Sequence, residues 1–470
     1  MELTNLNKRK RYHFIGIGGS GMSGLAKALL KKGYFVSGSD LSETLNTIKL
    51  KDLGAKIFIG HHKKNVANAH IIVISTAINQ KNPELIQAKE DHLLILHRSE
   101  LLNQLLKNYP ISIGITGTHG KTTSSAMLVQ AIEHATNNTP SFIIGSELHA
   151  YASNALISNS PYMVFEADES DGSFTNFSPN YSIITNLEAE HLTHYGTQDS
   201  LLNTFTNYIS DQIKKNNKII YNKDCKQIEK VINKIKDKKN LIGFGLTHSN
   251  TLKTTNIMSH LKGINAKIND TKTSQDHDLS LPIFGQQNIE NALAVLELLQ
   301  AEKLSISAGI KGLNLFQGSK RRTQFIKKIK NIKIYDDYAH HPKEVYCTLK
   351  GIKESLNAPI VCIFQPHRYT RTRDHFNDFI KAFEYADQVI ITQIYAANET
   401  PIKGVTGKQL CQKLKQHWPD KHVQFVKEKS LVASILPSII KNNHIIITMG
   451  AGNIHTIGNE IINQLNKTYN

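Results

Sequence analysis

The chain is poor in cysteine, arginine and acidic residues, and each shortage excludes something. Cys225, Cys347, Cys362 and Cys411 are the only cysteines in 470 residues, and none stand in C-x-x-C spacing. That speaks against a disulfide framework or a zinc ribbon and fits a reducing compartment. No apolar run reaches the roughly 18 residues a membrane helix needs. The basic start MELTNLNKRKRYHF leads into a stretch soon broken by glycines, which is not a signal-peptide core. The expectation is a soluble, cytoplasmic protein with no membrane span. Hydrophobic residues at 40% and charged residues at 20% are ordinary globular usage and exclude a disordered chain.

Asp and Glu number 39 against 56 Lys and Arg, a net charge of +17. Such an excess suits nucleic acid, an acidic membrane surface or phosphorylated small molecules. Only Arg9, Arg11, Arg98, Arg321, Arg322, Arg368, Arg371 and Arg373 are arginines, and the lysines are spread along the whole chain. No nucleic-acid module accompanies them, so no nucleic-acid partner is expected. The rare arginines carry more information, because a planar guanidinium grips a carboxylate or phosphate with two bonds and lysine cannot.

Short β-branched runs alternate with helix-length amphipathic segments, a pattern of parallel sheets covered by helices. The length corresponds to about three domains. The expected fold class is α/β in three domains: an N-terminal Rossmann-like domain over 1–108, a central P-loop ATPase-like α/β domain over 109–316, and a C-terminal Rossmann-like α/β domain over 317–470. The Thr/Asn/Lys-rich stretch from Thr247 to Asp278 is short of large apolar residues and reads as hairpins or surface excursions.

Two glycine loops carry the chemistry. Gly16-Ile17-Gly18-Gly19-Ser20-Gly21 follows the strand YHFI and opens a helix, where glycines let the backbone approach a pyrophosphate. Asp40 ends the next strand, at the place of a ribose-binding acid. Alone, this loop describes an NAD-dependent oxidoreductase. The second loop, Gly117-Thr118-His119-Gly120-Lys121-Thr122-Thr123, follows ISIGIT and opens another helix. Its backbone can cradle phosphates, with Lys121 on the β/γ oxygens and the Thr122 hydroxyl on Mg²⁺. Ile115 stands where strict Walker spacing has glycine, so the loop is a shorter variant. Hydride transfer has no evident need of a second, ATP-type loop. Joining a nucleotide-linked substrate to something else at the expense of ATP needs both.

Acids follow two further strands. Glu166-Ala167-Asp168-Glu169-Ser170-Asp171 comes after YMVF, and Glu188-Ala189-Glu190-His191 comes after YSIITN. Acids at strand ends beside a P-loop are expected Mg²⁺ carriers, although each tract also reads as a solvated turn. His191 reads equally as structural or as a metal or catalytic residue. His340-His341 before Pro342 could be turn residues, Arg371 and Arg373 surface charge, and Tyr338 a packing group.

The set GIGGSGMSG, GTHGKTT, EADESDGSF, TNLEAEH, YDDYAHHPKEV, QPHRYTRTRD and MGAGNI, in that order from Gly16 to Asn453, resembles the Mur ligase family. YDDYAHHP with QPHRYTRT resembles the alanine-adding member. The resemblance implies that ATP phosphorylates the lactyl carboxylate of UDP-N-acetylmuramate and that the L-alanine amine attacks the acyl phosphate, in peptidoglycan precursor synthesis. It assigns Gly16, Gly18, Gly19, Ser20 and Gly21 to the UDP diphosphate, and Asp40, Ser75 and Arg98 to the uridine nucleotide. It gives ATP to Gly117–Thr123 and Asn288, and Mg²⁺ to Thr122, Glu166 and His191. Tyr338, His340, Arg321, Arg322, Arg368 and Arg371 would serve the acyl phosphate and the amino acid. The implied catalytic set is Lys121, Glu166, His191, His340, Arg368 and Arg371, in a monomer or weak dimer. The chain departs from the family pattern at Glu190, Gln287 and Thr193. A sibling ligase adding another amino acid or a peptide stays open as the alternative.

Overall fold

The computed structural model describes residues 6–248, 251–441 and 443–469. They divide into two compact units, the first reaching residue 255 and including 268–279 and 290–317, the second comprising 256–267, 280–289 and residues from 318 onward. The expected divisions at 108/109 and 316/317 fall in connections between regular elements.

The first unit contains two sheets. One holds β1 (Arg11–Ile15), β2 (Phe35–Asp40), β3 (Lys56–Ile59), β4 (Ile71–Ile74) and β5 (Leu94–His97) in the order β3-β2-β1-β4-β5, parallel throughout. Its helices are α1 (Ser20–Lys31), α2 (Leu45–Asp52), α3 (Pro83–Glu90) and α4 (Arg98–Leu106). Parallel strands are covered on both faces, which is why β4 reads IIVI with no polar alternation. Gly33, at φ +80°, ends α1: its N–H reaches Leu30 O at 2.9 Å and the Tyr34 N–H reaches Leu29 O at 3.0 Å. The order reverses about β1, so the crevice outside its carboxyl end faces the first glycine loop.

The second sheet holds β6 (Ile111–Thr116), β7 (Ser141–Leu148), β8 (Ser153–Leu156), β9 (Tyr162–Glu166), β10 (Tyr181–Ile184), β11 (Lys218–Asn222) and β12 (Leu241–Phe244), ordered β12-β11-β10-β6-β9-β7-β8. Only β7 and β8 pair antiparallel. α5 (Lys121–Thr136), α6 (Leu192–Tyr195), α7 (Gln198–Lys214) and α8 (Lys226–Asn233) follow these strands. β6 lies between β9 and β10, which brings three carboxyl ends together. One apolar core runs through both sheets, from Phe14 and Leu29 to Phe174 and Phe205, whose rings stack at 4.5 Å.

The Thr247–Asp278 stretch, of which residues 249–250 lie outside the described residues, forms β13 (Leu252–His260) and β14 (Gly263–Asp270) and enters β15 (Gln275–Leu281). These make a three-stranded sheet of consecutive neighbours, as the hairpin reading expects. Helices α9 (Gln287–Ala301) and α10 (Ile306–Asn314) follow.

The second unit is built on β16 (Gln324–Ile329), β17 (Ile332–Asp337), β18 (Ile360–Phe364), β19 (Gln388–Thr392), β20 (His422–Val426) and β21 (Ile445–Met449), ordered β16-β17-β21-β18-β19-β20. All pair parallel except β16, an exposed lysine-bearing edge strand. Helices α11 (Pro342–Leu356), α12 (Tyr369–Asp374), α13 (Phe376–Ala382), α14 (Gly407–His417), α15 (Val432–Ile439) and α16 (Gly458–Tyr469) cover it. Arg371 and Arg373 lie within α12. Among the described residues no helix is long and apolar enough to cross a membrane.

Gly38 in β2 exposes how tightly the first sheet packs. A Cβ there would lie 2.6 Å from both Phe14 O and Ile17 Cδ1. Gly38→Ala is therefore expected to cost about 1–3 kcal/mol by overpacking, read as a lower urea midpoint with an unchanged m-value.

Candidate active site

The first glycine loop hangs from β2. Gly16 N–H and Ile17 N–H donate to Ser39 O at 2.8 and 2.9 Å, and Gly18 N–H donates to Asp40 Oδ2 at 2.8 Å. Asp40 thus braces the loop itself. A Cβ on Gly18 would sit 2.8 Å from that carboxylate, and one on Gly21 would sit 2.7 Å from Arg98 Nη1. α1 begins at exposed Ser20 with no side-chain cap and no acid in its first turn. Its first N–H groups are thus left for an anion. Ser75 lies just beyond β4, half-buried. Arg98 Nη2 binds Asp168 Oδ2 at 2.8 Å and approaches Asp171 Oδ2 at 3.4 Å, so this arginine joins the first loop to the acidic tract after β9. Burial opposes charge on both Arg98 and Asp168, but their attraction outweighs it, holding the carboxyl well below the usual range.

The second loop sits between β6 and α5. Gly117, at φ +119°, has no room for a Cβ, which would fall 2.5 Å from Thr185 Oγ1. Asn186 braces the loop: Thr118 N–H donates to its backbone oxygen and His119 N–H to its Oδ1, both at 2.9 Å. Gly120 caps α5 in the left-handed region without a side-chain bond, and no acid occupies the first turn. Thr122 is buried in that first turn, and Thr123 follows it.

Lys121 is held under this loop. Its Nζ lies 2.8 Å from Glu169 Oε2 and 3.1 Å from Thr118 O, and it also donates to Gly117 O. Burial disfavours the ammonium, yet Glu169, with Asp168 and Glu166, outweighs it and raises the pKa. His191 Nε2 lies 3.5 Å from Glu169 Oε1 and 3.5 Å from Glu190 Oε2. Its own backbone is left-handed at φ +58°. Glu166 Oε1 accepts from Gly145 N–H at 2.8 Å. The structure therefore brings Lys121, Glu166, Glu169, Glu190 and His191 to the carboxyl ends of β6, β9 and β10. Thr193 is exposed on α6. Hard oxygen donors from Thr122, Glu166 and the neighbouring acids suit Mg²⁺, and the imidazole of His191 suits it less well than the two carboxylates flanking it.

Asn288 Nδ2 donates to Phe284 O at 2.7 Å, and Gln287 folds back beside Gly285. One helical turn on, Asn291 accepts from Ser124 Oγ at 3.1 Å, and its Oδ1 would lie 2.7 Å from a Cβ on Gly120. Asn291 escapes notice in the sequence because it lies inside an apolar helix, and Glu169 is not singled out there because it is one of four acids in six residues. Only strand order shows which acid meets the lysine.

The second unit gathers a cationic cluster at the ends of β17, β18 and β21. Arg321 binds Asp336 Oδ2 through Nε at 3.0 Å and also reaches the Gly450 and Gly452 carbonyls. Arg321 and Arg322 lie 5.1 and 5.3 Å from the Tyr338 ring centre. His340 Nδ1 faces Tyr338 O at 3.0 Å and Glu344 Oε2 at 3.4 Å. Arg368 is exposed at the start of α12, with φ +70°. Arg371 Nη1 meets His367 Nδ1 at 3.1 Å, and Tyr395 stacks on His367 with an angle of 8°. His367 is a further residue of this cluster that had no place in the sequence reading, although it lies inside QPHRYTRT. Asp337, below, is pushed up to about 6 by burial.

Residues 11–110 match the Mur ligase family catalytic domain, 115–299 the Mur ligase middle domain and 321–452 the Mur ligase glutamate ligase domain. The chain belongs to the Mur ligase family, and its three-domain α/β architecture is that family's. The UDP-N-acetylmuramate–L-alanine ligase of Geotalea uraniireducens is 36% identical over 97% of this chain and 98% of its own length. That of Dictyoglomus turgidum is 37% identical over 96% of both. The solved structure of UDP-N-acetylmuramate-alanine ligase from Thermotoga maritima is similar at a TM-score of 0.83 and 27% identity, covering 98% of this chain and all of that one.

His367 gives a pH test. Burial, then His340, Arg371 and Arg368, lower its pKa from 6.5 to about 3. Between those values the unfolded imidazole binds a proton that the folded one refuses, so stability falls as pH falls through this window. His367→Gln is expected to flatten that fall, measured by urea unfolding at about pH 7 and about pH 5; an equally steep fall would contradict the assignment.

Proposed function

We propose that this chain joins L-alanine to the lactyl carboxylate of UDP-N-acetylmuramate at the expense of ATP, in the synthesis of peptidoglycan precursors. The observation that carries this reading is the occurrence, in one unit, of two glycine loops that each open an uncapped helix, with Arg98 spanning from one to the acids beside the other. The names of the near-full-length relatives supply the substrates.

In this reading the amides of Gly16–Gly21 and the N-terminus of α1 bind the UDP diphosphate, with Asp40, Ser75 and Arg98 beside the uridine nucleotide. The amides of Gly117–Thr123 bind the ATP phosphates, Lys121 leaves Glu169 to neutralise them, and Asn288 lies by the adenine. Mg²⁺, held by Thr122, Glu166 and His191 or the acids flanking it, would draw charge from the transferring phosphoryl group. The substrate carboxylate attacks the γ-phosphorus, the bond to ADP breaks, and an acyl phosphate forms. The alanine amine then attacks its carbonyl, loses a proton, and expels phosphate as the C–N bond closes. Arg321, Arg322, Arg368 and Arg371, with Tyr338 and His340, hold the phosphate and carboxylate oxygens against repulsion.

Phosphate release with UDP-N-acetylmuramate, ATP and a panel of alanine, glycine, serine and a tripeptide tests the reading. Alanine-dependent release is expected, and its absence would sink the reading. Lys121→Ala should leave calorimetric binding of UDP-N-acetylmuramate within about twofold while turnover falls by at least about a thousandfold. Loss of both in a folded variant would contradict the assignment of separate loops.

A further inference from the structure

The N-terminal sheet holds a buried carboxylate that the proposed reaction does not use. Glu84, in the first turn of α3, is fully buried, as is His13 beside it. Glu84 Oε2 accepts from Ser39 Oγ at 2.6 Å and faces His13 Nε2 at 3.3 Å. Its Oε1 accepts from Asn65 Nδ2 at 2.5 Å and from His62 N–H at 3.2 Å. Burial alone would push this carboxyl up, but hydrogen bonds from His13, Ser39 and Asn65 outweigh it and hold the pKa at about 2. Both oxygens are thus charged acceptors, each with two donors aimed at it.

The donors converge on the support of the first glycine loop. Ser39 O receives the Gly16 and Ile17 amides at 2.8 and 2.9 Å. The next residue, Asp40, receives Gly18 N–H on its side chain at 2.8 Å and Gly60 N–H on its backbone oxygen at 2.7 Å. Asn65 Nδ2, besides meeting Glu84, approaches Gly60 O at 3.2 Å. Glu84 therefore grips the end of β2 from one side and the 60–65 turn from the other, and these two segments set where the loop amides lie.

We propose that Glu84 is a positioning residue for the sugar-nucleotide site, fixing the Gly16–Gly18 amides through Ser39 and the 60–65 turn. The proposal rests on reading that loop as the diphosphate site. A neutral amide in place of the carboxylate accepts on one side only, so Glu84→Gln sets donor against donor in a site with no water-facing escape. Ser39→Ala removes one link and leaves the carboxylate its other three donors.

The test is calorimetric titration of UDP-N-acetylmuramate, and separately of a non-hydrolysable ATP analogue, into wild type, Glu84→Gln, Ser39→Ala and the double variant. Glu84→Gln is expected to raise the Kd for the UDP-sugar about tenfold and Ser39→Ala somewhat less. The double variant should show less than the product of the two, and the Kd for the ATP analogue should stay within about twofold. Wild-type UDP-sugar affinity in the folded variants overturns the proposal. Equal weakening of both ligands overturns it too, because Glu84 would then only hold the unit together. If Glu84→Gln does not fold, Ser39→Ala decides alone. A wild type that binds no UDP-sugar fails the loop reading itself, a result distinct from any effect of the variants.

Discussion

The buried pairing of Lys121 with Glu169 is the contact on which the central site depends. The lysine side chain is 18% exposed and the glutamate 3%, so neither charge is free in water. Separating such a pair would leave one buried charge uncompensated, at a cost of about 3–5 kcal/mol. Two loop carbonyls accept from the ammonium, His191 faces the carboxylate, and Tyr195 O–H donates to the Glu169 backbone. One ion pair therefore ties the loop after β6 to the tract after β9 and the tract after β10. A phosphate group that takes the lysine must offer it at least what Glu169 does, which favours a multiply charged ligand over a single carboxylate.

The same logic organises the charges elsewhere. Both glycine loops lead into helices without side-chain caps or first-turn acids, so their amides keep their positive ends available. The arginines stand apart from the lysine-rich surface in how they are used. Arg98 binds Asp168, and Arg321 binds Asp336 and two glycine carbonyls, each fixed by several directed bonds. The +17 of the chain is mostly diffuse lysine, while these two guanidinium groups have a defined geometry.

Much of the fold was legible in the sequence. β4 and β18 are continuous apolar runs, β6 and β21 are rich in isoleucine, and the glycine loops follow β1 and β6 directly, so period and punctuation sufficed. β16 and β8 were not legible: QFIKKI is an exposed, lysine-bearing edge, and SNAL carries almost no β signal. Both exist because a neighbouring strand offers an unpaired edge, which is a tertiary fact. The site was legible where backbone geometry dictates residue type, at Gly16, Gly117, Gly120 and Lys121. It was illegible where several similar residues compete, as with Glu169 among its acidic neighbours or His367 beside its arginines.

By itself the sequence determined the class of each layer, the two phosphate-type loops and the family to which the chain belongs. It could do so because those features rest on local rules: strand period, helix start, and positions where no Cβ fits. Only the tertiary structure decided which acid holds Lys121, which asparagine stands against Gly120, and that Glu84 underpins the first loop. Those choices depend on which strand ends become neighbours. Parallel sheets make neighbours of segments far apart in the chain, so no local pattern records them.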